Sequence, residues 1–119
     1  MTRESDIMYE IKSFLQGLDV AVYSLSQGRS TRQSAGLPDL FAMHPRLGGV
    51  WIEVKAPNGR RSGAQTVFAD RCARSRVQHL FANSLEPVRK LCIEAGLISD
   101  VSRERSTDAG LGEGASPLR

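Results

Sequence analysis

A chain of 119 residues that is 40% apolar and 24% charged can build one modest hydrophobic core and not two, so a single soluble domain is expected. No apolar run approaches the roughly 20 residues that span a bilayer, and the N-terminus MTRESDIMYEIK lacks the apolar stretch of a signal peptide; no membrane association and an intracellular location are expected. The net charge of +3 is unevenly spread: residues 29 to 76 hold nine basic and three acidic groups, a local excess of +6 that suits a polyanion-binding surface and is equally the composition of a solvated face.

Ile7, Ile11, Phe14 and Leu15 recur at helical spacing, which predicts an amphipathic helix over residues 4 to 16, packed by one side on a sheet and stopped at Gly17. Glu4 borders the apolar stripe on the first turn, where it either interacts with the helix N-terminus or reaches a cation held by the sheet. Val20 to Leu25 is rich in strand formers and makes the first strand. Ser26 to Ala35 has almost no apolar side chains and reads as a long polar loop, whose Arg29 and Arg32 are suited to phosphate contacts. Pro38 fixes its own φ and holds Leu37 extended, setting up a second strand from Asp39 to Met43.

After the turn His44 to Gly49 comes a third strand, in which Val50, Ile52 and Val54 take one face and Trp51, Glu53 and Lys55 the other. Asn58 to Gly63 is a second polar loop with Arg60 and Arg61 at its tip. Ser62 and Gln65 form an S-x-x-Q capping box that opens a helix over 64–74, expected to bury Val67, Phe68 and Cys72. Val77 to Ala82 is a fourth strand, and Leu85 to Ala95 a last helix that buries Leu85, Val88, Leu91 and Cys92 and ends at Gly96. Residues 99–119 have little to bury and are expected to fray, which bounds the domain at 1–98. Cys72 and Cys92 match neither a CxxC metal pattern nor a disulfide framework and read as buried free thiols.

The order helix, three strands, helix, strand, helix predicts an α/β fold. Short turns pair the first three strands antiparallel, and the helical crossover adds the fourth in parallel, giving a mixed central sheet flanked by helices.

Asp39 and Glu53 fall at neighbouring strand ends, where two ionised carboxylates repel each other unless a cation sits between them. Hard oxygen donors without a His or Cys cluster select Mg2+ or Mn2+, ions that polarise a phosphodiester and activate water. Lys55 is placed to orient or deprotonate that water and to offset growing negative charge, while Arg29, Arg32, Arg60 and Arg61 would hold the DNA backbone. His44 reads as a turn residue and His79 as one on a strand surface or edge. Tyr23 and Trp51 read as packing residues, with base stacking the alternative.

Gly36-Leu37-Pro38-Asp39, Ile52-Glu53-Val54-Lys55, Gly59-Arg60 and Gln65 together resemble the PD-(D/E)xK nuclease superfamily, and within it the VRR-NUC domain. The likeness runs from about Glu4 to the last helix and omits the tail. It implies a restriction-endonuclease-like αβββαβ core with a C-terminal helix. It further implies Asp39 and Glu53 as ligands of Mg2+ or Mn2+, joined by the Val54 carbonyl, with Lys55 serving the catalytic water and Gln65 assisting the metal or its water. The acidic ligand that the first helix supplies in this family best matches Glu4, with Glu10 the alternative. Small stand-alone members resemble Holliday junction resolvases and form homodimers, which implies a homodimeric endodeoxyribonuclease acting on four-way or other branched DNA in DNA repair. The alternative is a non-catalytic DNA-binding module that keeps the fold.

Overall fold

Successive elements follow the expected order in the computed structural model, which describes residues 2–25 and 36–100. They are α1 (Glu4–Gly17), β1 (Ala21–Ser24), β2 (Leu40–His44), β3 (Gly48–Val54), α2 (Gly63–Arg74), β4 (Gln78–Ala82) and α3 (Glu86–Glu94). Arg29 and Arg32, with the rest of their loop, and residues 101–119 of the expected tail lie outside the described residues.

The four strands form one sheet in the order β1-β2-β3-β4. β1 with β2 and β2 with β3 are antiparallel, and β3 with β4 is parallel, because α2 carries the chain back across the sheet before β4 begins. The stripe Ile7, Ile11 and Leu15 of α1 is buried, as its spacing predicts. It packs with Leu40, Ala42, Val50, Ile52, Val54 and Ala82 from one face of the sheet, and Val88 and Cys92 of α3 complete that core. On the opposite face α2 lays Phe68 edge-on against Trp51 with ring centroids 5.4 Å apart, and Trp51 in turn meets Phe41 at 4.7 Å. Trp51 is thus a packing residue on the same sheet face as Glu53. Both cysteines are free and buried, as expected.

One local reading is corrected. Val67 is 60% exposed, because Phe68 and Cys72, one helical turn apart, take the inward side of α2 and leave Val67 with the exposed Asp70, Arg71 and Arg74. The first helix stops at Gly17, as expected, and the chain turns away through Asp19 at φ 68°, an arrangement that a short polar side chain tolerates. Gly96, in contrast, closes α3 at φ 81°, with Leu97 N–H donating to the Cys92 carbonyl at 2.9 Å. Among the described residues, no helix is long and apolar enough to cross a membrane.

Gly36 couples the second strand to the start of α2. Its φ is +89°, and a Cβ there would stand 2.4 Å from the carbonyl oxygen of Ala64, an atom of the helix backbone that cannot swing away. A Gly36→Ala variant therefore combines left-handed strain with a backbone collision and is expected to lose about 2 kcal/mol or more in urea unfolding. A loss within about 0.5 kcal/mol, the range of an ordinary surface substitution, would show that this junction is not rigid.

Candidate active site

The site forms where β2 begins and β3 ends. Extending the register Leu40↔Ile52 by one residue sets Asp39 opposite Glu53, so their side chains share a sheet face. Pro38 is fully buried, and Asp39 is held by its backbone and its side chain together. Its carbonyl accepts the Leu25 N–H at 2.8 Å, and its Oδ2 accepts the Val54 N–H at 2.9 Å. Pairing with β4 continues one residue beyond β3, where Lys55 N–H donates to the Ala82 carbonyl at 3.0 Å and fixes the lysine's backbone.

Glu53 is 1% exposed and is the one buried charged residue among the described residues. Neither of its carboxylate oxygens has a hydrogen-bond partner. Arg61 Nε approaches Oε1 to 3.3 Å without hydrogen-bond geometry, and its guanidinium lies over the Phe81 ring at 5.0 Å. His79 Nε2 stands 3.5 Å from the same Oε1 and is also buried without a partner. Burial pushes the Glu53 carboxyl above its ordinary value, Arg61 and Lys55 pull it back, and Asp39 adds a further push upward. Asp39, Glu53 and Lys55 are therefore within electrostatic reach of one another. Burial, reinforced by Arg61, lowers His79 and favours its neutral imidazole, against a hydrogen bond with its own backbone.

Other expected site residues are placed differently. Gln65 closes the capping box: its N–H donates to Ser62 Oγ at 3.1 Å, and its Oε1 accepts the Ser62 N–H at 2.8 Å. One lone pair of the amide oxygen is thereby engaged at the helix start. Glu4 and Glu10 are exposed on α1, the helix that packs on the sheet face away from Glu53. Among the described residues no three His, Cys, Asp or Glu side chains gather into a group able to hold a metal ion, so neither glutamate joins Asp39 and Glu53 here. Arg60 is exposed; with Arg61 and Phe81 it lines a recess of about 390 Å3.

His79 is the residue that sequence reasoning missed. It is expected on a strand surface or edge; β4 is an edge strand, but the His79 side chain is only 7% exposed. Parallel register sets it beside Trp51, on the face under α2, where its ring centroid lies 6.1 Å from that of Phe68. The available signal is the alternation in β4, where Leu80 and Ala82 serve the apolar core and His79 and Phe81 must face the other way. His44 is the turn residue expected, its Nδ1 accepting the Arg46 N–H at 3.0 Å.

The centre fits a small cation: a carboxylate with two unpartnered buried oxygens, a second carboxylate opposite it, and a guanidinium already drawn to 3.3 Å. Fold and site together describe a mixed α/β domain with a buried carboxylate centre at the end of an inner strand. No family model matches the sequence, and no curated protein matches it. A solved structure described as a VRR_NUC domain is similar at a TM-score of 0.63 and 24% sequence identity, covering 79% of this chain and 97% of that one. The chain has the VRR-NUC fold, the restriction-endonuclease-like arrangement that its motifs imply.

Buried charge sets the sign of a stability test. Because the folded state raises the Glu53 carboxyl, the unfolded chain ionises first as pH rises, and stability falls from the ordinary carboxylate range up through the raised value. In chelator at neutral pH, Glu53→Gln is expected to melt a few degrees above the parent, the shift of about 1 kcal/mol in a domain of this size. The two proteins should converge below the ordinary carboxylate range, where Glu53 is protonated in both states. A variant that melts lower than the parent at neutral pH would mean that Arg61 and Lys55 outweigh burial.

Proposed function

We propose that this chain is a divalent-metal-dependent endodeoxyribonuclease that hydrolyses DNA phosphodiester bonds. The observation that carries the reading is the Glu53 carboxylate, buried without a hydrogen-bond partner beside Asp39 and Lys55. In this reading Asp39 and Glu53 hold Mg2+ or Mn2+, with the Val54 carbonyl beside them. When bound, the ion supplies Lewis-acid polarisation of the phosphodiester and lowers the cost of forming a hydroxide nucleophile.

Each side chain then has a definite task. The hydrogen bond from Val54 N–H holds Asp39 in place and leaves Glu53 to meet the cation. Lys55 shares the face of Glu53 at the strand end, where it orients the attacking water and offsets the charge that grows on phosphorus. Gln65, one lone pair of its oxygen engaged by Ser62, keeps its amide hydrogens for a phosphate oxygen or the water and its second lone pair to assist the metal or its water. Arg29, Arg32, Arg60 and Arg61 supply phosphate contacts. Glu4, exposed on α1, is the family's helix glutamate only if the helix end approaches the centre when DNA and metal bind, and Glu10 has the same requirement.

The substrate in this reading is branched DNA such as a four-way junction, cut by an intracellular homodimer in DNA repair, since two sites related by a two-fold axis suit the paired strands of a symmetric branch. Support for branched DNA and for the dimer comes from the motif resemblance alone.

Purified protein should cleave four-way DNA in Mg2+ or Mn2+ and not in chelator, with weaker cleavage of single-stranded, duplex and flap substrates. Asp39→Ala, Glu53→Ala and Lys55→Ala should each reduce the rate by about 100-fold or more. DNA affinity of these variants should persist and fall steeply with salt, as phosphate contacts require. Salt-sensitive binding with no cleavage in either ion would instead favour a non-catalytic DNA-binding module, and undiminished cleavage by the three variants would rule out this site.

A further inference from the structure

We propose that His79 is a nitrogen ligand of the divalent ion at Glu53, and that this donor gives the centre a preference for first-row transition ions, Mn2+ and Co2+, over Mg2+. This inference rests on the metal-dependent reading above and extends its ligand set to β4. His79 Nε2 lies 3.5 Å from Glu53 Oε1, a separation that two donors each about 2.1 Å from one ion can span. Both atoms are buried and neither has a hydrogen-bond partner, and the Arg61 guanidinium at 3.3 Å compensates Oε1 only in part. They lack a partner at one place, beside one another, and a single cation would satisfy both.

The ring is also held in place. The ring body packs near Phe68, and β4 holds its backbone in register with Trp51, so little freedom is left to lose on ligation. No group of three ligating side chains is present among the described residues, and His79 added to Glu53 and to the Asp39 of the reading above is still a sparse protein set. Divalent sites in phosphoryl chemistry commonly complete their coordination with water and substrate phosphate. Imidazole is a borderline donor that adds affinity for transition ions and little for Mg2+, which prefers oxygen.

Calorimetric titration of the full chain with Co2+, Mn2+ and Mg2+ separates a ligand from a packed ring. His79→Phe keeps the aromatic body against Phe68 and removes the donor; it should weaken Co2+ and Mn2+ by about 10- to 100-fold and leave Mg2+ nearly unchanged. In nitrogen NMR of the unsubstituted protein, one equivalent of Co2+ should shift the Nε2 signal of His79 strongly. His44, at the far end of β2 opposite Gly48, should respond much less and serves as the internal control. Unchanged Co2+ affinity in folded His79→Phe, or an Nε2 signal that responds no more than His44, overturns the assignment; the second readout needs no variant to fold. His79-dependent metal binding without DNA cleavage would support this ligand while removing the nuclease reading. Cleavage with metal affinity independent of His79 would remove the ligand and leave the nuclease.

Discussion

A carboxylate held away from water is the constraint on which the rest of this structure depends. Glu53 is 1% exposed at the end of β3, an inner strand with β2 on one side and β4 on the other. Burying an ionised carboxylate is costly unless it is both paired and hydrogen-bonded, and Glu53 has the first only in part and the second not at all. Burial pushes its carboxyl up against the pull of Arg61 and Lys55. The folded chain carries that cost at one side chain, and its hydrophobic core offsets it.

Three contacts convert that centre into a rigid geometry. Asp39 Oδ2 holds the Val54 N–H, Lys55 N–H holds the Ala82 carbonyl, and Gly36 fits against Ala64 with no room for a Cβ. Each joins a residue next to the site to a different element: β3, β4 and α2. The G-x-P-D segment thus has a structural meaning along its length. Gly36 allows the close approach to the helix, Pro38 is buried and fixes the backbone, and Asp39 binds the neighbouring strand.

Local pattern made the scaffold and its principal residues legible. The period-two alternation of Val50, Ile52 and Val54 against Trp51 and Glu53, the stripe of α1, and the Ser62–Gln65 box all depend on residues within a few positions of one another. His79 was missed because its environment is set by the register of β4 against β3, a long-range pairing reached through a helical crossover. The inward turn of Arg61 was not legible, because a loop arginine reads as exposed and sequence spacing does not bring Glu53 and Phe81 near it. Helical period gives the side of α1 on which Glu4 and Glu10 lie, and says nothing of their distance from a centre on the other face of the sheet. Gln65 shows a different limit, since one spacing satisfies a helix cap and a site role alike.

Fold likeness at 24% identity leaves the choice between an enzyme and a binding module to the site itself, because one fold hosts many functions. Energetics of Glu53 bear on that choice. A surface that only binds DNA gains nothing from a carboxylate beneath it: the charge repels phosphate, its burial costs stability, and a neutral glutamine would fill the same volume. Aspartate and glutamate at the same level of adjacent strands compound both penalties. In the proposed reading a divalent cation supplies the missing charge, and beside Lys55 it would be set up for phosphoryl chemistry. The cost that Glu53 imposes on the folded chain thus favours the proposed catalytic reading, whereas the likeness shows the fold alone.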